Sequence, residues 1–151
     1  MDRQSIATQL KIEQDLIGHI EASLRSALEW KTGPSSASRK LSTLRFVAET
    51  FHRNLERLMS IDEYDGYMAL VSHSSPQLGS AVEVLKLDHQ NLRLELNQII
   101  ARLERTSSED VAAVDAACDD LRKFLTGYDK HNEREVELLQ NSLLLDIGGR
   151  G

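Results

Sequence analysis

The most regular helical pattern in the chain lies in residues 82–103, which have the sequence VEVLKLDHQNLRLELNQIIARL. Apolar residues recur there, and at Leu78 just before, at steps of three and four. This spacing places them on one face of an α-helix that packs against a hydrophobic interior. His89 lies in the middle of that face, where a leucine would be expected. By itself, such a histidine most often hydrogen-bonds a core neighbour, so a second buried polar residue is needed before it indicates a site.

Two amphipathic segments precede this helix. Residues 4–30 predict a first helix. Gly33 and Pro34 should end it, since glycine suits a left-handed cap and proline cannot continue the hydrogen-bond ladder. A short serine-rich connection leads to a second helix, whose apolar face covers residues 41–58. After this face the pattern loosens, and both a break and an irregular continuation to Val71 are compatible with it.

A fourth helix follows the one around His89. Ser75 and Pro76 supply a cap and a first-turn proline for the third helix, and the polar residues 106–110 end it and cap the fourth. The fourth helix has its apolar face over residues 114–139, and residues 146–151 predict a stop and a frayed tail. Four such helices predict an all-α protein, an up-down-up-down antiparallel four-helix bundle that forms a single domain over residues 1–151.

The composition excludes several classes of protein. A formal net charge of −6 argues against a nucleic-acid partner, which normally needs a basic face. We expect a cytoplasmic protein, because no apolar run is long enough to cross a membrane and the N-terminus lacks the apolar core of a secretory signal. The single cysteine, Cys118, excludes an internal disulfide and is expected to be a small buried hydrophobe. The chain has no glycine-rich phosphate loop and no nucleophile elbow, so an enzyme is not expected.

Glu135 supplies the second buried polar residue. It lies near the middle of the apolar face of the fourth helix, four residues after His131. A carboxylate on a core face is costly unless it is paired or binds a cation. An imidazole and a carboxylate one helical turn apart can hold one cation, and borderline and hard divalent metals accept such mixed ligands. His89 and Glu135 together therefore predict a polar, metal-binding site inside the bundle.

The first two helices carry weaker signals of the same kind. His19 lies off the centre of the first apolar face, His52 lies at the boundary of the second, and Glu56 lies further out. On facing alone, His52 and Glu56 would form a surface ion pair. An antiparallel hairpin nevertheless brings His19 and His52 to a similar height, since each helical residue rises about 1.5 Å. His73 lies in a serine-rich loop without an acidic partner at ligand spacing, and we expect it to be solvated.

With one histidine on each predicted helix, the chain resembles the hemerythrin-like, or HHE cation-binding, domains over nearly its whole length. Their pattern is a histidine on helix 1, His-x-x-x-Glu on helix 2, one or two histidines on helix 3, and His-x-x-x-Glu or His-x-x-x-Asp on helix 4. The matching residues here are His19, His52 with Glu56, His89, and His131 with Glu135. The stretch H-N-E-R-E-V-E-L-L-Q, which runs on to D-I-G-G, is similar to one bacterial branch of the family.

The second helix allows two alignments with that branch. Its members often have His-x-x-x-Glu-Glu shortly before a Gly-Tyr pair, and this chain has Gly-Tyr at 66–67. Alignment on this pair puts Leu58 in the histidine position and Asp62 in the glutamate position. The third helix has Arg93 where a second histidine would stand. The site is then either rebuilt with His52 or incomplete, with Asp62 alone as the bridging carboxylate.

The resemblance implies a four-helix bundle that holds a non-haem, usually di-iron, centre. Carboxylates of Glu135 and of Glu56 or Asp62 would bridge two irons, with imidazoles as terminal ligands and an open position for dioxygen or another small diatomic molecule. This implies carriage, sensing, iron buffering or protection from oxidants. The alternative is a metal-free bundle that acts as an interaction or regulatory module, in which Tyr128, Glu135 and the two histidines of helices 3 and 4 form a buried hydrogen-bond network.

Overall fold

The structure, a computed structural model, describes residues 3–149, and every regular element among them is helical. In chain order these elements are α1 (Arg3–Leu28), α2 (Ala37–Ser60), a π-helical turn (Ile61–Asp65), α3 (Tyr67–Ser74), a 3₁₀ turn (Pro76–Leu78), α4 (Gly79–Arg105) and α5 (Val111–Gly149). Four of them, α1, α2, α4 and α5, are long. The prediction of an all-α protein with four main helices is confirmed.

The hydrophobic core lies between the four long helices. Its centre contains three aromatic rings, with the ring of Phe51 edge-on to Phe124 at 5.9 Å and to Tyr128 at 5.3 Å. Fully buried leucines surround them, and α1 packs on α2, α2 on α4, and α4 on α5. A smaller cluster, to which Met68 and Leu138 belong, packs α3 against the main helices. Most of the periodic apolar residues of the sequence lie in these two clusters, as their spacing predicted, whereas Leu139 at the end of the predicted face of α5 is exposed.

A buried lysine caps the C-terminal end of α1. The helix ends at Leu28, two residues before the predicted end, and Gly33 does not take the left-handed conformation that was expected of it. Instead, Lys40 Nζ donates hydrogen bonds to the carbonyl oxygens of Leu28 and Trp30, at 2.9 and 2.5 Å. A cation at a helix C-terminus satisfies carbonyl groups that have no partner within the helix and interacts favourably with the helix dipole.

Arginines tie the end of α4 to the same region. Arg45 donates from Nε to the carbonyl of Leu103 and from Nη2 to that of Thr106, at 2.8 and 2.6 Å. Arg122 Nη2 donates to the carbonyl of Leu28 at 2.8 Å. The C-terminal ends of α1 and α4 therefore lie near the beginning of α2 and the first third of α5.

The fourth predicted helix begins as expected and ends later. Asp110 caps α5, because its Oδ1 accepts a hydrogen bond from the backbone N–H of Ala113 at 3.0 Å. The predicted stop at residues 146–148 is wrong, since the backbone stays helical through Gly149. No glycine in the described part of the chain has a positive φ, so the glycines there do not form a left-handed cap. The last two residues of the predicted tail lie outside the described range.

The second helix first continues irregularly and then breaks at Gly66, so the structure combines the two alternatives. A π-helical turn over Ile61–Asp65 extends α2, and Gly66 separates it from α3. A Cβ atom on Gly66 would lie 2.7 Å from the carbonyl oxygen of Ile61, so only glycine fits at this bend. Asp62 is buried and Glu63 reaches α4, although neighbouring residues of a regular helix point about 100° apart. The turn thus directs two consecutive acids towards the interior.

Two expectations from the composition can be compared with the structure. Cys118 is buried in the core, as predicted, and burial raises the pKa of its thiol. Among the helices that residues 3–149 form, none combines the length and the apolar character that crossing a membrane requires.

Replacing a core ring should destabilise the protein far more than replacing an exposed ring on the same helix. Phe51 is 0% exposed and Phe46 is 69% exposed, both on α2. We expect Phe51→Ala to lower the free energy of unfolding by about 3–5 kcal/mol, because it removes buried apolar area and leaves a cavity. Phe46→Ala should change it by less than about 0.5 kcal/mol. Urea unfolding followed by circular dichroism measures both, and equal effects would contradict this description of the core.

Candidate metal centre

Two imidazoles and a carboxylate meet between α4 and α5. His89 Nε2 lies 3.1 Å from His131 Nε2 and 3.6 Å from Glu135 Oε1, and His131 Nε2 lies 2.5 Å from the same oxygen. These three atoms all lie within 4.8 Å of one another. The side chains are 0%, 3% and 19% exposed, in the order His89, His131, Glu135. Nitrogen and oxygen donors that converge in this way could hold a single divalent cation.

Helical spacing accounts for the meeting of these side chains. His89 takes the place of an apolar residue on the buried face of α4, between Leu85 and Leu92. His131 and Glu135 are one turn apart on α5 and therefore lie on one face. The two imidazole rings are 4.7 Å apart between centroids. The expectation that His89 and Glu135 face each other inside the bundle is confirmed.

Each imidazole is held by a further carboxylate through its other ring nitrogen. His89 Nδ1 lies 2.8 Å from Glu63 Oε1, and His131 Nδ1 lies 3.1 Å from Asp88 Oδ2, which also accepts a hydrogen bond from Arg134 Nε. A neutral imidazole whose Nδ1–H donates to a carboxylate keeps a lone pair on Nε2. In that tautomer both Nε2 lone pairs face each other at 3.1 Å. They repel unless a proton or a metal ion lies between them.

Glu135, which contacts both histidines, and Asp62, which lies near Glu135, titrate in opposite directions. Burial alone would raise the pKa of Glu135, but hydrogen bonds with His131 and His89 and the charges of these histidines bring it down to about 2. Burial, together with repulsion from Glu135 and Glu63, raises the pKa of Asp62 to about 8. At neutral pH Glu135 is therefore ionised and Asp62 holds a proton. An added cation next to them would favour the ionised form of Asp62.

The hydroxyl of Tyr67 is buried beside these acids. It approaches the Glu135 carboxylate without the geometry of a hydrogen bond, and it has no hydrogen-bond partner among the described residues. Burial, followed by the charges of Glu135 and Asp62, raises the pKa of Tyr67 above its ordinary value. A buried hydroxyl without a partner is costly, and a bound ion's own ligand would supply the missing acceptor or donor.

Carboxylates outnumber fixed cations around the histidines. Two guanidinium groups, those of Arg93 and Arg134, pair with acids there. Apart from Asp62, the acids are Glu56, Glu63, Asp88 and Glu135. Four negative charges against two positive charges leave a deficit of two. Protonated imidazoles or one divalent cation would fill it, because partly buried charge must be paired.

The structure brings together some of the predicted ligands and separates others. Three of them, His89, His131 and Glu135, form the cluster, and the buried Asp62 lies close enough to Glu135 to be repelled by it. His19 is exposed on α1 and is not part of the cluster.

The second helix does not bring its His-x-x-x-Glu pair to the cluster. His52 is half-buried and its Nε2 lies 3.9 Å from Glu56 Oε1, beyond hydrogen-bonding distance. Glu56 instead accepts hydrogen bonds from Arg93. Leu58 and Asp62 are both buried, as the alignment on Gly-Tyr expected.

Several polar residues of the site were not predicted from the sequence. Glu63 and Asp88 each adjoin a predicted ligand in sequence, but regular helical geometry would point them about 100° away from it. Tyr67 belongs to the Gly-Tyr pair, which was used for alignment and not as a site. The burial of Glu13 was predictable, because it lies three residues after Leu10 and four before Ile17, which is the spacing of the apolar face of the first helix.

Glu13 is buried on α1, whereas His19 is exposed. One carboxylate oxygen accepts a hydrogen bond from Gln9 Nε2 at 2.8 Å, and the other, Oε2, has no hydrogen-bond partner in the described part of the chain. Glu13 lines a cleft of about 380 Å³ together with Glu56 and Ser60. Glu13 is not among the clustered donors.

Comparisons of the chain with protein-family models, with curated proteins and with solved structures gave no match. The geometry of the site is therefore the basis for assigning a function.

Proposed function

We propose that this protein is a hemerythrin-like metal-binding bundle that holds non-haem iron at His89, His131 and Glu135. The observation that carries the proposal is the convergence of both Nε2 atoms and one carboxylate oxygen on a shared, partly buried point. The proposed activity is the binding of dioxygen or another small diatomic molecule, or the buffering of iron, and not the turnover of an organic substrate.

The up-down-up-down antiparallel topology is part of this proposal. The contacts of Lys40 with Leu28 and of Arg45 with Leu103 support it, because each joins the beginning of one helix to the end of another. The contact of Arg122 with Leu28 joins the first third of α5 to the end of α1. Helices that run alternately up and down bring their ends together in this way.

The residues of the cluster fit a metal ion on three counts. Two imidazoles and one carboxylate are the ligand set of many non-haem Fe(II) sites, and the resemblance to hemerythrin-like domains favours iron over zinc. Glu63 and Asp88 orient the two imidazoles through Nδ1, an arrangement that typically accompanies metal-bound histidine. The unpartnered hydroxyl of Tyr67 and the deficit of two positive charges are both relieved by a cation with its own small ligand.

The surrounding residues have distinct roles in this proposal. Bound iron would supply an open coordination position and redox activity. Glu135 and the histidines hold the ion, while Asp62 adds a carboxylate that loses its proton when the ion binds. The Tyr67 hydroxyl can donate a hydrogen bond towards a small molecule held beside Glu135, since it has no other acceptor in the described part of the chain.

Metal content tests the proposal directly. Protein purified from iron-supplemented cells should carry iron in a stoichiometric amount, measured by mass spectrometry of the metal and by the visible spectrum. His131→Ala and Glu135→Gln should each retain less than roughly a tenth of the wild-type iron, because each removes one of the converging donors.

His73→Ala is the matched control, because His73 is exposed and should leave the iron content unchanged. Wild-type protein without iron, or ligand variants that keep it, would sink the proposal.

A second comparison separates the two alignments of the second helix. Asp62→Asn should weaken metal affinity by about 10–100-fold, because Asp62 is buried beside Glu135. His52→Ala should change it by less than about twofold, since an imidazole outside the cluster adds no ligand. Isothermal titration of the apoprotein with Co(II) measures both. The opposite order would show that the site is rebuilt with His52 and Glu56.

One observation favours the metal-free alternative. In the described structure all four ring nitrogens of His89 and His131 already have partners within the chain. The two arginines neutralise the carboxylates that orient these rings. A closed network of this kind stabilises a bundle without any ion and would suit an interaction or regulatory module.

Thermal melting distinguishes the two functions. If the site holds a metal, chelation should lower the Tm of the wild type by at least about 5 °C, because a ligand that binds only the folded state stabilises it. Glu135→Gln should show no such response to chelator. Identical melting curves for the wild type with and without chelator would favour the metal-free module.

A further inference from the structure

Arg93 lies between two carboxylates next to the histidine cluster. Its Nε donates to both oxygens of Glu56, at 3.2 and 3.1 Å. Its Nη1 and Nη2 donate to the two oxygens of Glu63, at 3.2 and 3.3 Å. One guanidinium group thus engages two carboxylates, both through paired contacts, and the side chain is largely shielded from solvent. Arg93 keeps its positive charge throughout the accessible pH range.

The side chains near this guanidinium, carboxylates and an imidazole, are of the types that bind metal ions. Glu63 Oε1 is shared between Arg93 and His89 Nδ1, so the guanidinium adjoins the histidine cluster directly. On the other side, His52 Nε2 lies 3.9 Å from Glu56 Oε1. That nitrogen is buried and has no hydrogen-bond partner among residues 3–149. Two carboxylates therefore hold the guanidinium of Arg93, and an imidazole with an unused nitrogen lies beside one of them, Glu56.

We propose that Arg93 acts as a built-in cation that fills the space between Glu56 and Glu63 and thereby limits the metal centre to one ion per chain. This inference rests on the proposed metal-binding function. It departs from the pair of irons that the family resemblance implies, because the side chains that would hold a second ion are engaged by a guanidinium.

Electrostatics explain why the arginine would exclude a second ion. A divalent cation between Glu56 and Glu63 would have to displace the guanidinium from four hydrogen bonds or accept repulsion from it at close range. Without the guanidinium, Glu63 would keep only its contact with His89 and Glu56 would lose its hydrogen bonds with Arg93. Two partly buried carboxylates would then lack a compensating charge and would attract a cation. Glu63 would then be free to turn from His89 towards that cation.

The ion count per chain tests this role of Arg93. The apoprotein is titrated with Co(II) alone, and the number of ions per chain is measured by calorimetry and by metal analysis after dialysis. We expect one ion per chain for the wild type and two for Arg93→Gln, which removes the charge and keeps a polar side chain. Arg93→Lys is the matched control and should stay at one, because it retains a cation in the same place.

The outcomes separate this inference from the proposed function. Two ions in the wild type, or one ion in Arg93→Gln, would overturn the role of Arg93 and leave metal binding at the histidine cluster intact. No ion in the wild type would overturn the proposed function, and the inference would fall with it.

A folding control covers the case in which Arg93→Gln is too unstable to purify. Arg93→His places a metal-binding donor at the same position and should also bind two ions. If both variants fail to fold while Arg93→Lys folds, Arg93 is a structural partner of the two carboxylates, and its assignment as the limit on ion number is overturned.

Discussion

Two imidazole nitrogens that face each other at 3.1 Å impose the central constraint on this molecule. Their other nitrogens are engaged by carboxylates, so positive charge must be present on one ring or between the two. The ionised Glu135 beside them strengthens that demand. The interior of a helical bundle is a costly place for such an arrangement, because each buried polar group needs a partner. Leucines would pack well at these positions. The presence of polar groups there is the main reason to regard this region as a site and not as core.

Much of the architecture follows from local patterns in the chain. The long helices follow from steps of three and four in apolar residues, and the buried His89 and Glu135 are visible as interruptions of those steps. Helix ends were less predictable, because α1 is closed by Lys40, a residue twelve positions later that no local pattern connects with it. The extension of α5 departs from the stop predicted for residues 146–151, because a glycine can remain helical and does not have to end a helix.

Some residues of the site are predictable from local sequence patterns, and others depend on contacts between distant parts of the chain. Spacing alone identified His131 with Glu135, since both lie on one helix. For His52 with Glu56 the spacing pointed to the site, whereas the direction of the pair relative to the apolar face indicated a surface ion pair, and the structure leaves both residues outside the cluster. The contribution of Glu63 required knowledge of the π-helical turn, and that of Asp88 required knowledge of the packing of α4 on α5. On α1 the residue predicted as a ligand, His19, is exposed, whereas Glu13, for which no role was predicted, is buried.

The π-helical turn after α2 has a consequence for how this chain can vary. Such a turn is geometrically equivalent to one extra residue inside an α-helix. The leucines before it keep their register with the core, and everything after it is rotated by about a quarter of a circle. Gain or loss of a single residue in this stretch would therefore exchange which acids face inward while the rest of α2 stays packed. A change of length in this segment can therefore alter which acids line the interior, while the helices that position them stay in place.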